Sequence, residues 1–531
     1  MLLEEISKKL KSNYDLEKSA YSNIEEKNEP IATTLSENEE RLKKRFNNSG
    51  DFVLRYFTFN GVGGKRERAF VAFADGLIKQ EMLSESVIKP MMHGDEVVIM
   101  NATDKMSKMQ AVNAMLLSVA DAKVSDDFEA GVSAILNGDV VLFVEGANEL
   151  SIISCKGYDR RGVEQPTYDV SMRGPRESFN ETLRTNTSLL RRRVKNANLV
   201  FENVVLGRKT NTNICITYIK GLAEPKLIKE IKRRLKYVNT DMILESGYIE
   251  QFIEDSPFSV FATIGLTERP DVLAAKLGEG RVGIMIDGSP FVLTAPYLFI
   301  EAFQNPEDYY SRTIYSTIVR FFRYLAFGIT ILLPGIYLAL TSFHQELIPP
   351  LLLFNMAAAG EGVPFSSFME ITLFLLVYEL LKEAGIHMPK NIGQTISIVG
   401  GLVMGEAAIR AGIIGAPVVI LISFTAVSGF VVPTIGNEVS LLRWIFLFLG
   451  GLMGGFGIVL GLIGITIHVT GLQSFGYSYF SPLMPCRPDD LKDAFVRAPL
   501  WFMRKRPYGM ANQDKVRNRT PVPPEKGEID E

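Results

Sequence analysis

Apolar positions change rhythm along the chain. Up to about residue 320 they come in short runs broken by polar segments, and beyond Arg323 they become long and almost uncharged. In the first part, Phe52–Phe59, Ala69–Phe73, Val97–Met100, Val140–Val144 and Leu150–Ser154 read as strands, and 105–121 and 126–136 have helical spacing. The pattern repeats after about residue 180. Ile214–Ile219 reads as a strand, Pro225–Val238 as a Lys/Arg-rich amphipathic helix, and Glu245–Ile253 and Arg269–Leu277 as short helices. Val282, Ile284 and Ile286, then Asp287-Gly288, then Phe291 and Leu293 spell a β-hairpin. The expected organisation is a polar, flexible lead-in (1–45), two α/β subdomains (46–175 and 176–295) and a connector (296–323).

The second part has the proportions of membrane spans. Tyr324–Phe343 is 20 residues without a charge, enough for a hydrocarbon core of ~30 Å at ~1.5 Å per residue. Residues 411–437 and 444–486 are further uncharged runs, the last longer than one crossing needs. Ser366–Ala384 carries Glu370, Glu379, Lys382 and Glu383, and 393–409 is Gly-rich with Glu406 as its one charge. An α-helical transmembrane domain is therefore expected over 324–470, with four spans and five as the alternative. An interfacial helix at Leu491–Arg506 and a polar tail fill 471–531. Met1–Asn13 lacks an apolar core and does not read as a signal peptide. Lys and Arg gather before the first span (Arg312, Arg320, Arg323), after the second (Lys382, Lys390) and after the last (Arg487 through Arg506). That distribution favours four crossings with both termini and the soluble region inside.

Composition narrows the chemistry. With 57 Lys+Arg against 60 Asp+Glu, nothing favours a nucleic-acid partner. Three distant cysteines and four histidines, none four residues from another, supply no disulfide framework and no metal motif. No cofactor and no enzymatic activity are expected. Gly278-Glu279-Gly280-Arg281-Val282-Gly283 matches a dinucleotide fingerprint, but the order helix–glycines–strand is the wrong context, and a tight turn is expected. Gly61-Val62-Gly63-Gly64-Lys65 lacks the first glycine and the Ser/Thr of a phosphate loop and reads as a hairpin loop. Arg191-Arg192-Arg193 reads as a solvated or lipid-facing surface.

Charges within the apolar segments need a reason. Glu379 and Glu383 are expected to snorkel beside Lys382, and Glu370 to mark the opposite interface. Glu406 has Arg410 four residues on as its neutralising partner. Thr395, Ile398, Leu402, Gly405/Glu406 and Ile409 share one helical face. Repeated around an axis, that face would make a pore with an apolar constriction at Ile398 and Leu402 and a carboxylate ring. From spacing alone a packing face is the safer reading. Gly450, Gly454, Gly457, Gly461 and Gly464 step by 4, 3, 4, 3 and predict tight helix packing.

Particular residues carry a family resemblance. Arg173-Gly174-Pro175, Leu183-Arg184-Thr185-Asn186, Glu268-Arg269-Pro270-Asp271, Asp287-Gly288-Ser289-Pro290-Phe291 and Pro306-Glu307-Asp308-Tyr309-Tyr310 contribute, with Val363-Pro364-Phe365, Glu383-Ala384-Gly385, Gly393-Gln394-Thr395-Ile396 and Ser474-Phe475-Gly476. On these the chain resembles the A subunit of GerA-family spore germination receptors, over roughly 170–505. The resemblance implies a subunit of the inner spore membrane that senses nutrient with a permease-like B subunit and a lipoprotein C subunit. It further implies that this subunit oligomerises in the lipid and opens a cation path. That makes the pore lining at Thr395, Ile398, Leu402, Glu406 and Ile409 the preferred reading. A secondary transporter of a small nutrient or ion, and a non-conducting membrane scaffold, are the alternatives. The nutrient-binding residues are not assigned.

Overall fold

The computed structural model describes residues 29–60, 66–93, 107–115, 122–157, 173–387, 403–511 and 513–519. Their contacts form two compact units, one holding the described residues up to 254, 264–296 and those from 499 onward, the other 255–263 and 297–498.

The first unit contains two sheets. Strands β1 (Phe52–Asn60), β2 (Arg66–Ala74), β3 (Ala122–Ser125), β4 (Val140–Val144) and β5 (Leu150–Ile153) pair in the order β1-β2-β4-β5-β3, antiparallel throughout. The alternation of side chains along β4 explains its unbroken apolar run. Val140, Leu142 and Val144 meet helical turns carrying Leu83, Val87, Met109 and Val112. Val141 and Phe143 meet α1 (Leu35–Arg45) and a helix over Phe128–Leu136 through Leu42, Phe128 and Val132. With α2 (Lys108–Met115) on the first face, the helix at Phe128–Leu136 is α3. Asp127 caps α3, its carboxylate accepting from the amides of Glu129 (3.2 Å) and Ala130 (3.1 Å).

The second sheet repeats this plan. Strands β6 (Leu199–Leu206), β7 (Thr212–Ile219), β8 (Gly265–Thr267), β9 (Val282–Ile286) and β10 (Val292–Ala295) pair antiparallel in the order β6-β7-β9-β10-β8, the first order advanced by five. Helices α4 (Leu183–Arg193), α5 (Pro225–Tyr237), α6 (Ser246–Ile253) and α7 (Pro270–Gly278) accompany it. Leu189 and Leu190 of α4 and Leu273 and Leu277 of α7 bury Cys215, Ile219 and Met285. Strands β3, β6 and β8 were not legible in the pattern. β3 and β8 are three or four residues long, and β6 carries Glu202-Asn203 at mid-strand. The strand expected at Val97–Met100 and the loop at Gly61–Lys65 lie outside the described residues.

The second unit is helical: α8 (Thr313–Ser342), α9 (Pro350–Gly360), α10 (Ser367–His387), α11 (403–410), α12 (Ala416–Gly429) and α13 (Gly436–Gly471). Of these, α8 and α13 are long and apolar enough to cross a membrane, by length and composition. α13 is broken at Gly454, whose φ of 61° and ψ of -143° suit only glycine. Beyond it the chain doubles back. A Cβ on Gly457 would lie 2.3 Å from the Leu449 carbonyl oxygen, and one on Gly461 would lie 2.8 Å from the Phe446 ring. Residues eight apart in a straight helix are separated by ~12 Å. This reversal accounts for an apolar run longer than one crossing.

The expected helix at Leu491–Arg506 does not form. The chain makes a helical turn at Pro488–Leu491 and a 3-10 turn at Leu500–Phe502, with Pro499, which has no amide hydrogen to donate, between them. The buried Arg497 instead donates to the Thr313 hydroxyl (2.9 Å).

Candidate functional site in the helical region

α11 carries the described part of the expected pore face. Gly405 turns toward the bundle, where a Cβ would meet Val419 (3.2 Å) and Phe374 (3.8 Å). Ala408 packs in the same core. Glu406 and Arg410 point away, joined at 2.5 Å, with side chains 57% and 78% exposed. Ile409 is exposed as well. The face is therefore divided: Gly405 packs inward while Glu406 and Ile409 look out. Thr395, Ile398 and Leu402 lie outside the described residues.

The other carboxylates make contacts that their spacing does not reveal. Glu370 faces α12. It is buried, and its carboxylate accepts from the amide of Gly415 (2.9 Å), the N-cap of α12, so its charge meets the positive end of that helix. Glu379 lies beside Lys382, as expected, at 3.8 Å. It pairs with the buried Arg443 of α13 and accepts from the Ser440 hydroxyl (3.0 Å), while Lys382 donates to the same hydroxyl (3.1 Å). The Tyr378 ring lies 5.2 Å from the Arg443 guanidinium. A charged hydrogen-bond set thus ties α10 to α13. Glu383 remains outside it, paired with the exposed His387 at 3.0 Å.

The glycines have four different surroundings. Gly450 meets α8, where a Cβ would lie 2.5 Å from the Gly335 carbonyl oxygen. Gly454 is the bend, and Gly457 and Gly461 lie on the returning half, packed against Leu449 and Phe446 of the half before it. A Cβ on Gly464 meets nothing within 4 Å. The even spacing does not survive as one face because the axis reverses inside it.

A second charged set joins the connector to α8. Asp308, buried, accepts from Arg320 (3.2 Å) and Arg323 (2.8 Å), and Arg320 also reaches Asp493 (3.1 Å). In the first unit, Arg191 corrects the expectation of a solvated arginine run. It is buried between the two sheets, where its guanidinium bonds both Asp51 carboxylate oxygens (2.7 and 2.8 Å) and the Leu199 carbonyl (2.9 Å). Arg192 and Arg193 both pair with Glu177. The glycine motif at 278–283 is a turn. Gly280 has φ +93°, and a Cβ there would lie 2.6 Å from the Met510 carbonyl oxygen.

The sequence reading missed these buried arginines: Arg191, Arg269, Arg320 and Arg443 are among the largest fully buried side chains. Arg269 sits two residues from its partner Asp271 (2.8 Å), a proximity visible in the motif itself. Arg191 and Arg443 have carboxylate partners far away in sequence. The one signal for the second pair was a charge in each of two otherwise apolar segments.

Among the described residues no group of His, Cys, Asp and Glu is placed to hold a metal ion. Cys155 and Cys215 are buried in the sheet region, and burial pushes the Cys155 thiol up to about 11, so neither presents a reactive thiolate.

The molecule is thus a two-sheet α/β region joined to apolar helices that carry buried ion pairs. The chain belongs to the Bacillus/Clostridium GerA spore germination protein family, whose model matches residues 40–508. It is similar to spore germination protein KA of Bacillus subtilis (strain 168), 39% identical over 507 residues covering 94% of this chain and 91% of that one. It is also 40% identical over 495 residues to the membrane protein YfkQ of the same organism, covering 92% of this chain and 94% of the relative. The N-terminal domain of the A subunit of the Bacillus megaterium spore germinant receptor GerK3 is 32% identical with a TM-score of 0.41, covering 51% of this chain and 98% of that one.

Proposed function

We propose that the chain is the A-type subunit of a nutrient (germinant) receptor and works as one member of an oligomeric, ligand-gated cation channel. In this reading it resides in the inner spore membrane with two subdomains on the core side, the first taking in α1 (Leu35–Arg45) as well as 46–175 and the second 176–295. It acts with a permease-like B subunit and a lipoprotein C subunit, and 393–410 lines the path. The supporting observation is the outward-facing pair Glu406–Arg410 on a bundle of apolar helices. A charged pair facing hydrocarbon is costly, whereas facing a water-filled axis shared with other copies it is solvated. Role by role, Leu402 and Ile398 form the constriction, Thr395 and Glu406 the polar rings, and Ile409 the inner rim.

The test is single-cysteine accessibility along 393–410 in the assembled receptor, with native cysteines removed. Labelling at 395, 398, 402 and 406 that rises with nutrient, while the Gly405 face stays protected, is the expected result. Uniform protection in both states rejects the pore. Leu402→Ala is expected to yield spores that germinate without nutrient, and normal dormancy at normal receptor levels rejects the gate.

A further inference from the structure

The outer face of α5 serves no contact described so far. Leu227, Ile231 and Leu235 bury its inner side. Lys226, Lys229, Arg233 and Lys236 recur at spacings of 3, 4 and 3 and so form one stripe on the opposite side, all exposed. The helix holds six Lys and Arg against the single carboxylate of Glu230. That carboxylate is taken by Arg233 (2.6 Å) and Arg234 (2.8 Å), and Lys232 is taken by Glu202 on the sheet beneath. Among the described residues no ion pair engages Lys226, Lys229 or Lys236. Large apolar side chains accompany the stripe. Tyr237 ends the helix at 74% exposed, and the link to α6 and α6 itself expose Met242, Leu244, Tyr248 and Phe252. α6 lies beside α5, the Arg234 guanidinium donating to the Ile253 carbonyl at 2.6 Å.

We propose that this face docks on an anionic lipid surface. The lysine stripe meets the negative headgroups, and Tyr237 with its apolar neighbours enters the headgroup layer. Charge complementarity favours lipid over a second copy, because two such faces brought together would oppose like charges. Interfacial aromatic and aliphatic side chains beside lysines are what a headgroup boundary accommodates. Docking would hold the second sheet at the membrane, so lipid composition would bias the orientation of the soluble region.

The inference rests on the chain residing in a bilayer, and the experiment separates the two. The full chain with Cys486→Ser and Tyr237→Cys carries an environment-sensitive fluorophore at 237, Cys155 and Cys215 being buried. It is reconstituted into vesicles of phosphatidylcholine alone or with phosphatidylglycerol, and flotation scores membrane residence. A chain that fails to float overturns the membrane reading itself. For a floating chain, the expected result is a blue shift and quenching by lipid-borne quenchers in the anionic vesicles, reversed by about 0.5 M salt. Lys226→Gln/Lys229→Gln/Lys236→Gln is expected to lower the docked-to-free ratio on the order of a hundredfold. Identical spectra in both vesicles, or a shift that survives the triple substitution, overturns the docking site. A shift that follows protein density rather than lipid charge also overturns it, in favour of a contact between copies.

Discussion

Substituting Asp51→Asn tests whether the buried pair with Arg191 holds the two sheets together. Arg191 is 1% exposed and Asp51 7%, so the neutral amide would leave a guanidinium in the interior with no counter-charge and one fewer strong acceptor. Removing one partner of a buried pair costs about 3–5 kcal/mol. The surrounding acceptors, the Asn196 and Leu199 carbonyls at 2.9 Å each, place the expectation at the lower end. At ~1.4 kcal/mol per tenfold, a loss of about 3 kcal/mol is roughly two orders of magnitude in a local opening equilibrium. The reporters are the amides crossing the junction: Gly50 donates to the Phe201 carbonyl (2.8 Å) and Phe201 to the Ser49 hydroxyl (3.1 Å). Hydrogen exchange of the full chain in detergent should accelerate about a hundredfold in peptides spanning 46–60 and 196–206. Asp241→Asn, breaking a pair exposed on both sides, should change protection by less than about 0.5 kcal/mol. The double substitution Asp51→Leu/Arg191→Met should restore much of the loss, since it leaves no unpaired charge. Exchange in Asp51→Asn indistinguishable from the parent would refute the argument.

Three further expectations follow from the geometry. Gly450→Ala brings a methyl against the Gly335 carbonyl and should cost about 1–3 kcal/mol, whereas Gly464→Ala, with open space around it, should leave thermal stability in detergent unchanged; equal melting points would discount the close approach of α8 and α13. Glu379→Gln leaves Arg443 buried without a carboxylate and should destabilise the helical unit by about 3 kcal/mol, while Glu383→Gln at an exposed pair should be near neutral, as read by thermal loss of monodispersity. Glu245 offers a pH test. Burial pushes its carboxyl up, but hydrogen bonds from Ser246, the Gly247 amide and Ser289 outweigh this and hold it below the usual carboxylate range. Its folded-state pKa is thus the lower one, so its contribution is full above about pH 4.3 and is lost as pH falls through the folded value. Glu245→Gln should flatten the decline in stability below about pH 4.3, and an unchanged acid profile would count against this role.

The chain by itself determined the elements whose signals are local. Short apolar or alternating runs bounded by polar residues placed β1, β2, β4 and the hairpin of β9 and β10, because a strand is short and each of its faces is written two residues apart. The basic stripe and apolar stripe of α5 announced an amphipathic helix, and the long uncharged runs marked the helical region, because the cost of charge in hydrocarbon is paid residue by residue. Only the tertiary structure decided the rest. β3, β6 and β8 are strands because neighbours pair with them, not because of their own composition. Arg191, Arg320 and Arg443 are buried because Asp51, Asp308, Asp493 and Glu379 reach them from other elements, and a charge acquires its meaning from a partner that spacing does not reveal. The five-glycine repeat looked like one packing stripe until Gly454 reversed the axis within it, since a periodicity defines a face only while the helix stays straight.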